Sequence, residues 1–244
     1  LSRLHPAPIP RTNLIDSLRH WANVRPTSPA FWFTDGETEE DETLTFADLD
    51  HAARAVAVEI LKVAQPGDRG VLMYPPGLDF IIGFFGCLYA GCAAVPAFPP
   101  RRNRKGSRIQ GIAQDCAAKF GLTVDATASQ ILKDSAMRED IADMTLIATD
   151  RTDRNLALGY SNVEVQNQDI AVLQYTSGST GTPKGVMLTH ANLLRNCEMI
   201  AYLFQQRGEE IGASWLPTYH DMGLIGGILS PVFAGLPLAL MSPM

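Results

Sequence analysis

Residues 169–194 read DIAVLQYTSGSTGTPKGVMLTHANLL, and this stretch decides the fold. Two apolar runs, Asp169–Tyr175 and Val186–Leu188, flank a loop, and we expect both to be strands. Residues 175–185 hold five Thr or Ser hydroxyls, three glycines and Lys184. Glycine lets the backbone turn and approach a ligand closely, and successive backbone N–H groups can bind an anion. The composition of this loop therefore predicts a polyphosphate site.

Other glycine-rich loops fit this stretch poorly. A Walker A loop needs Gly-Lys followed by Ser or Thr, whereas here Pro183 precedes Lys184 and Gly185 follows it. The Gly-x-Ser-x-Gly elbow of hydrolases is missing from the loop. A flexible Ser/Gly linker is disfavoured because apolar strands bracket the loop on both sides.

Outward from the loop, short apolar strands alternate with helices. The predicted strands are Ala30–Thr34, Thr43–Phe46, Gly70–Tyr74, Cys92–Phe98, Gly121–Val124 and Thr145–Thr149. The predicted helices are Thr12–Asn23 with Thr12 as its cap, Thr45–Val63 with a capping box, Leu78–Ala90, Ser107–Phe120, Ser129–Ala136, and one starting near His190. This alternation predicts an α/β protein with a mostly parallel sheet covered by helices.

Composition excludes several classes of protein. The chain has 244 residues, 46% hydrophobic and 19% charged, which is ordinary for a globular protein. Its net charge of −6 argues against nucleic acid as the main partner, since phosphate backbones bind Lys and Arg. The apolar segment Leu78–Phe98 is almost long enough to span a bilayer, but Asp79, three glycines and Pro96 favour a buried helix followed by a buried strand. We expect no integral membrane segment.

The four cysteines, Cys87, Cys92, Cys116 and Cys197, form no CxxC pair, and no histidine has zinc-finger spacing. We therefore expect no structural metal and a reducing cytoplasm, and the first residues show no secretory signal. Because the chain starts at Leu1 and stops at Met244 inside an apolar stretch, we expect it to be a fragment of a longer protein.

The loop closely resembles the signature phosphate loop of the acyl-adenylate-forming, or AMP-binding, superfamily. Residues 214–224, SWLPTYHDMGL, resemble the next core motif of that superfamily, and Pro75–Pro100 resembles an earlier one. The run AAVPAFPP at residues 93–100, with HDMGLIGG at residues 220–227, is most like fatty acyl-AMP ligases. The resemblance covers the chain from about Asn13 onward.

The resemblance implies the fold of an adenylate-forming-enzyme N-terminal domain, with stacked αβαβα layers, here incomplete. Residues 64–198 would form a sheet subdomain with the phosphate loop, and residues 13–63 would join residues 199–244 in part of a second subdomain. The implied reaction is ATP-dependent activation of a carboxylic acid, here a fatty acid, to acyl-AMP with release of pyrophosphate. The implied acceptor is the thiol of an acyl carrier protein in polyketide or lipopeptide synthesis, or coenzyme A.

The resemblance also assigns residues. The phosphate-binding set consists of Thr176, Ser177, Gly178, Ser179, Thr180, Gly181 and Lys184. His220 would lie beside the acyl carboxylate and the α-phosphate and, with Lys184, form the catalytic set. The Mg²⁺-binding acid, the adenine and ribose contacts and a C-terminal catalytic Lys are expected beyond Met244, so the fragment alone would be inactive.

Three alternative functions stay open. The protein could be an acyl-CoA synthetase or a peptide-synthetase adenylation domain, or, in a different class, a non-catalytic nucleotide-binding module. His220-Asp221 could suggest a metal-dependent phosphohydrolase, but the other histidines show no supporting pattern. The apolar stretch Leu224–Leu240 could line an acyl tunnel or form a core helix and strand.

Overall fold

The computed structural model of the chain describes residues 12–34, 36, 41–99, 108–141, 143–176, 184–206 and 210–242. The described residues form an α/β structure with two sheets, as the alternation of strands and helices predicts. The six strands of the larger sheet are β3 (Arg69–Leu72), β4 (Ala93–Pro96), β5 (Phe120–Thr123), β6 (Thr145–Ala148), β7 (Ile170–Thr176) and β8 (Lys184–Thr189).

The larger sheet has the order β6-β5-β3-β4-β7-β8. Every neighbouring pair in it is parallel except β7 and β8, which pair antiparallel. The prediction of a mostly parallel sheet is therefore confirmed. Because parallel strands end at one edge, the chain leaves β4 and β7 on the same side of the sheet, the side where open α/β sheets bind ligands.

The smaller sheet joins two distant parts of the sequence. Its strands are β1 (Pro29–Thr34), β2 (Glu42–Thr45), β9 (Gly212–Ser214) and β10 (Leu238–Met241), in the order β2-β1-β10-β9. β1 and β10 are parallel neighbours, with Phe31 opposite Leu238. Residues near the start of the chain thus share a sheet with residues that follow the β7–β8 hairpin.

The helices pack around both sheets. They are α1 (Leu14–Val24), α2 (Phe46–Ile60), α3 (Leu78–Tyr89), α4 (Arg108–Asp115), α5 (Asp125–Lys133), α6 (Ser135–Asp140), α7 (His190–Leu203) and α8 (Ser230–Ala234). Two short 3₁₀ helices, Thr149–Arg151 and Arg154–Gly159, occupy the looser stretch before β7. A π-helix, Met222–Leu229, precedes α8.

One of the two predicted helix caps is confirmed. Thr45 caps α2 through a capping box with Asp48. Thr12 does not cap α1: Asn13 does, because its side chain accepts from the N–H of Asp16, three residues into the helix. The hydroxyl of Thr12 instead donates to the Asp16 carboxylate at 2.8 Å.

Two predicted helices have different bounds in the structure. The helix predicted to run to Phe120 ends at Asp115, since Ala117 takes a positive φ of 50° and Phe120 starts β5. The predicted helix Ser129–Ala136 is two helices, because Asp134 leaves the helical conformation and caps α6. Neither helix break occurs at a Gly or Pro, so neither of these residue types marks it in the sequence.

The core centres on α3, which is buried along its length except at Asp79. It lies so close to α2 that a Cβ on Gly86 would come within 2.5 Å of the Val56 side chain. The prediction that the apolar segment Leu78–Phe98 forms a buried helix followed by a buried strand is confirmed by α3 and β4. No helix in the described ranges is long and apolar enough to cross a bilayer.

Candidate functional site

The first part of the candidate site is the stem of the β7–β8 hairpin. Thr176 ends β7, Lys184 begins β8, and the two are paired across the ladder. Both side chains are exposed, so a hydroxyl and an ammonium group are available where the connecting loop starts and ends. The other predicted phosphate-binding residues lie outside the described residues: Ser177, Gly178, Ser179, Thr180 and Gly181.

Tyr175 fixes this stem to the neighbouring helix. Its hydroxyl donates to the Asp115 carboxylate at the end of α4, and its carbonyl accepts from Arg108 at 3.3 Å. Burial, and then the bond to Asp115, raises the pKa of the Tyr175 hydroxyl, so the group stays neutral. Gly185 lies opposite, where a Cβ would come within 2.9 Å of the Tyr175 ring. Gly185 is thus needed to make room for that ring.

The second part is the His220 turn, which we define as residues 217–223. The His220 N–H donates to the Pro217 carbonyl at 3.1 Å, and the His220 carbonyl accepts from Leu224 at 2.8 Å. A Cβ on Gly223 would lie 2.1 Å from the Pro217 carbonyl oxygen, so only glycine lets the turn close this tightly. The imidazole of His220 is exposed, and can therefore reach a ligand.

Asp221 directly follows His220 in this turn and is exposed as well. Its carboxylate accepts from the adjacent Met222 N–H at 2.8 Å. This bond ties one Asp221 carboxylate oxygen to the backbone of the turn.

The structure brings the hairpin stem and the His220 turn together at Tyr219. The side-chain amide of Gln174, on β7, donates to the Tyr219 carbonyl at 2.8 Å. The Phe98 ring, just beyond β4, meets the Tyr219 ring edge-on with centroids 5.4 Å apart. The Tyr219 and His220 rings are themselves 4.8 Å apart. His220 thus lies at the edge of the larger sheet where β4 and β7 end.

Most of the chain matches one known protein family. Residues 18–244 match the family described as AMP-binding enzyme, which is most of the chain. The chain belongs to the AMP-binding enzyme family. The resemblance that the loop and the 214–224 motif suggest is therefore confirmed.

Two similar proteins carry the names of ligases that act on fatty acids. The chain is 37% identical over 236 residues to the medium-chain-fatty-acid–acyl-carrier-protein ligase JamA of Moorena producens, covering 95% of this chain and 40% of that protein. It is 36% identical to the long-chain-fatty-acid–AMP ligase FadD32 of Mycolicibacterium smegmatis, covering 91% of this chain and 36% of the relative. The chain therefore spans well under half the length of these two relatives.

A solved structure of the family shows the same fold. The fatty acyl-adenylate ligase from L. pneumophila, in complex with acyl adenylate and pyrophosphate, superposes with a TM-score of 0.88 at 37% identity. The match covers 96% of this chain and 40% of that one. The predicted fold, that of an adenylate-forming-enzyme N-terminal domain, is confirmed.

Two features of this AMP-binding enzyme were not predicted from its sequence. The contact between Gln174 and Tyr219 joins residues 45 apart, and no local pattern indicates it. The π-helix Met222–Leu229, which follows His220, is a rare element that often occurs at functional sites. In the stretch that follows the turn, the apolar side chains lie mostly in the core: Leu224, Ile228, Leu229, Val232, Leu238 and Leu240 are all buried. This favours the core interpretation of Leu224–Leu240 over a tunnel wall.

A surface cleft of about 510 Å³ lies elsewhere in this family member. It opens beside Lys119 and Met144, which precede β5 and β6, so it is at the opposite edge of the larger sheet from the β7–β8 connection. None of the candidate site residues lines it. Over the described ranges, the structure also contains no group of three or more His, Cys, Asp or Glu side chains that could hold a metal ion.

Proposed function

We propose that the full-length protein activates a fatty acid with ATP, forming acyl-AMP and pyrophosphate. The observation that carries this proposal is the junction at Tyr219. The stem of a Ser/Thr/Gly loop and an exposed histidine are joined there, in a chain whose relatives carry fatty-acid ligase names. An ATP-dependent ligase needs a phosphate cradle and an acid-orienting group at one place, and the junction of the loop stem with His220 supports this assignment.

The proposed chemistry is an attack by one carboxylate oxygen of the acid on the α-phosphorus of ATP. The bond from that phosphorus to the oxygen bridging the α- and β-phosphates breaks, and pyrophosphate leaves with the electron pair. A carboxylate is already a nucleophile at neutral pH, so no general base is required. Negative charge builds on the leaving oxygens, and aimed donors stabilise it.

We assign that charge stabilisation to the hairpin loop. Lys184 supplies a full positive charge at one end of the loop, and Thr176 supplies a hydroxyl at the other. The remaining phosphate contacts are proposed for Ser177, Gly178, Ser179, Thr180 and Gly181. His220 is proposed to donate an imidazole N–H to the incoming carboxylate or to an α-phosphate oxygen. Its exposed position at the end of β4 and β7 supports that role.

ATP is the proposed nucleotide substrate, and Mg²⁺ is proposed to accompany its phosphates. The described residues provide no cluster of metal-ligating side chains, so we assign none of them to the ion. The name of JamA supports an acyl carrier protein thiol as the acceptor, with coenzyme A as the competing acceptor. Because ATP and these thiols are cytoplasmic substrates, we propose the cytoplasm as the site of the reaction.

We also propose two subdomains. Residues 64–198 form the first, and residues 13–63 with 199–244 contribute to the second. The separate hydrogen-bonded sheets support this division, since β1 and β2 pair with β10 and β9 and none of them pairs with β3–β8. The candidate site would then lie at the boundary, where Gln174 of one subdomain contacts Tyr219 of the other.

The proposal is tested by ATP–pyrophosphate exchange in the full-length protein. The assay compares fatty acids of increasing chain length with an amino acid, acetate and no acid. We expect exchange that depends on a fatty acid. Exchange that depends on the amino acid instead would identify a peptide-synthetase adenylation domain, and ATP binding without exchange would identify a non-catalytic module. Transfer to a carrier protein or to coenzyme A then separates the two acceptors.

A further inference from the structure

Gln174 is a polar residue that interrupts the mostly apolar run Ile170–Tyr175 of β7. Its neighbours Leu173 and Tyr175 are buried, and the strand does not need an amide at this position for its ladder. The Gln174 side chain points instead at the His220 turn, where its Nε2 donates to the Tyr219 carbonyl at 2.8 Å. A leucine would fill similar space without making this bond.

The bond fixes one particular peptide unit. The Tyr219 carbonyl accepts from Gln174, and the N–H of the same peptide, which belongs to His220, donates to Pro217 at 3.1 Å. A peptide unit is planar, so hydrogen bonds at both of its ends fix the orientation of that plane. Together with the bond from the Leu224 N–H to the His220 carbonyl at 2.8 Å, which holds the next peptide plane, this plane limits the direction in which the His220 side chain leaves the backbone.

The orientation of the Gln174 amide is itself determined. If the amide were flipped, its oxygen would face the Tyr219 carbonyl oxygen, and two acceptors would repel each other. The other amide atom, Oε1, is buried without a hydrogen-bond partner in the described part of the chain.

We propose that Gln174 is a positioning residue, which aims His220 by holding the Tyr219–His220 peptide against β7. The phosphate loop begins two residues after Gln174, so the same strand carries the ATP-binding loop and sets the direction of the acid-binding histidine. This inference rests on the proposed function, because it requires that His220 contacts the reacting acid.

The test uses Gln174→Met in the full-length protein, since methionine has a similar length and no donor. The substitution removes the hydrogen bond to Tyr219, so His220 should be misoriented. We expect kcat/KM for the fatty acid to fall by about ten- to a hundredfold, the range for a lost hydrogen bond and a small misplacement. The KM for ATP should change less than about twofold, because the loop and Lys184 are untouched. Gln168→Met, at an exposed position before β7, is the matched control and should leave both values unchanged.

A double-mutant cycle with His220→Ala separates positioning from general destabilisation. If Gln174 acts through His220, then Gln174→Met should change the rate little once His220 is already alanine. A loss by the same factor in both backgrounds would overturn the inference, and so would a His220→Ala variant with normal activity. If the wild-type protein shows no fatty-acid-dependent exchange at all, the proposed function fails first.

A second variant covers the case in which Gln174→Met folds poorly. In Gln174→Glu, an ionised carboxylate faces the Tyr219 carbonyl and repels it, whereas a protonated one can donate to it. The activity of this variant relative to wild type should therefore rise as the pH is lowered. A ratio that stays constant with pH, in a variant with an unchanged melting temperature, would also overturn the inference.

Discussion

His190 should make the stability of the protein depend on pH. This residue begins α7 and is almost fully buried, with 2% of its surface exposed. Its Nδ1 accepts from the N–H of Leu14, the first residue of α1, at 3.3 Å. A protonated imidazole cannot accept that bond, and it would also lie against the positive ends of two helices. The fold therefore requires His190 to be neutral.

The size of the effect follows from the pKa. Burial lowers the pKa of His190 from 6.5 to about 4, although the carboxylates of Asp169 and Asp16 act in the opposite direction. The unfolded chain thus binds a proton at a higher pH than the folded chain does. The stabilisation is fully present above pH 6.5 and is lost as the pH falls towards 4. By linkage, about 2 kcal/mol of the free energy of unfolding should disappear between pH 8 and pH 5.

The assay is urea unfolding at pH 8 and pH 5, followed by tryptophan fluorescence. The comparison variant is His190→Gln, because a glutamine oxygen can accept from Leu14 and does not titrate. Carboxylates that titrate in both proteins cancel in the difference. The wild type should lose about 2 kcal/mol more than His190→Gln over this range. His51→Gln, at an exposed position on α2, should behave as the wild type does. Equal losses in wild type and His190→Gln would refute the reasoning.

Three further predictions concern the candidate site. In the full-length protein, Lys184→Ala should raise the KM for ATP by about ten- to a hundredfold, the range for losing a charged hydrogen bond. The melting temperature should not change, because the side chain is exposed. Wild-type pyrophosphate release at limiting ATP would contradict this prediction. His220→Ala should slow acyl-AMP formation, measured by hydroxamate trapping, by about ten- to a thousandfold while ATP affinity falls less. Normal turnover with lowered thermal stability would instead make His220 a structural residue. Gly223→Ala should destabilise the protein by about 1–3 kcal/mol in urea unfolding, since its Cβ would lie 2.1 Å from the Pro217 oxygen. Gly226→Ala, whose Cβ meets nothing within 4 Å, is the control, and equal costs would count against this account of the turn.

Much of the fold could be predicted because its signals are local. The capping box of α2 involves only Thr45 and Asp48, which are three residues apart. The change from strand to helix at His190 likewise depends on a few adjacent residues. The cap of α1 was mispredicted although the same rule applies, because Asp16 stands three residues after Asn13 and not after Thr12. The early end of α4 has no comparable signal, since its positive φ falls on an alanine.

The candidate site also has parts that local sequence signals predict and parts that they do not. The phosphate loop and the His220 motif are contiguous strings, so the sequence alone suggests them. Their junction is not contiguous, since it depends on a hydrogen bond from Gln174 to a carbonyl 45 residues away. The π-helix also escapes local rules, because its apolar residues fit an ordinary buried helix equally well.

The central claim is that a carboxylate oxygen of a fatty acid attacks the α-phosphorus of ATP. It is tested by supplying the full-length protein with ATP and a fatty acid labelled with ¹⁸O in its carboxylate, and trapping the acyl group with hydroxylamine. Because the attacking oxygen becomes the bridge of the acyl-AMP, it leaves with AMP when the trap attacks the carbonyl carbon. The account predicts AMP that carries one ¹⁸O atom, detected by mass spectrometry. Unlabelled AMP, or release of ADP and phosphate in place of AMP and pyrophosphate, would contradict it.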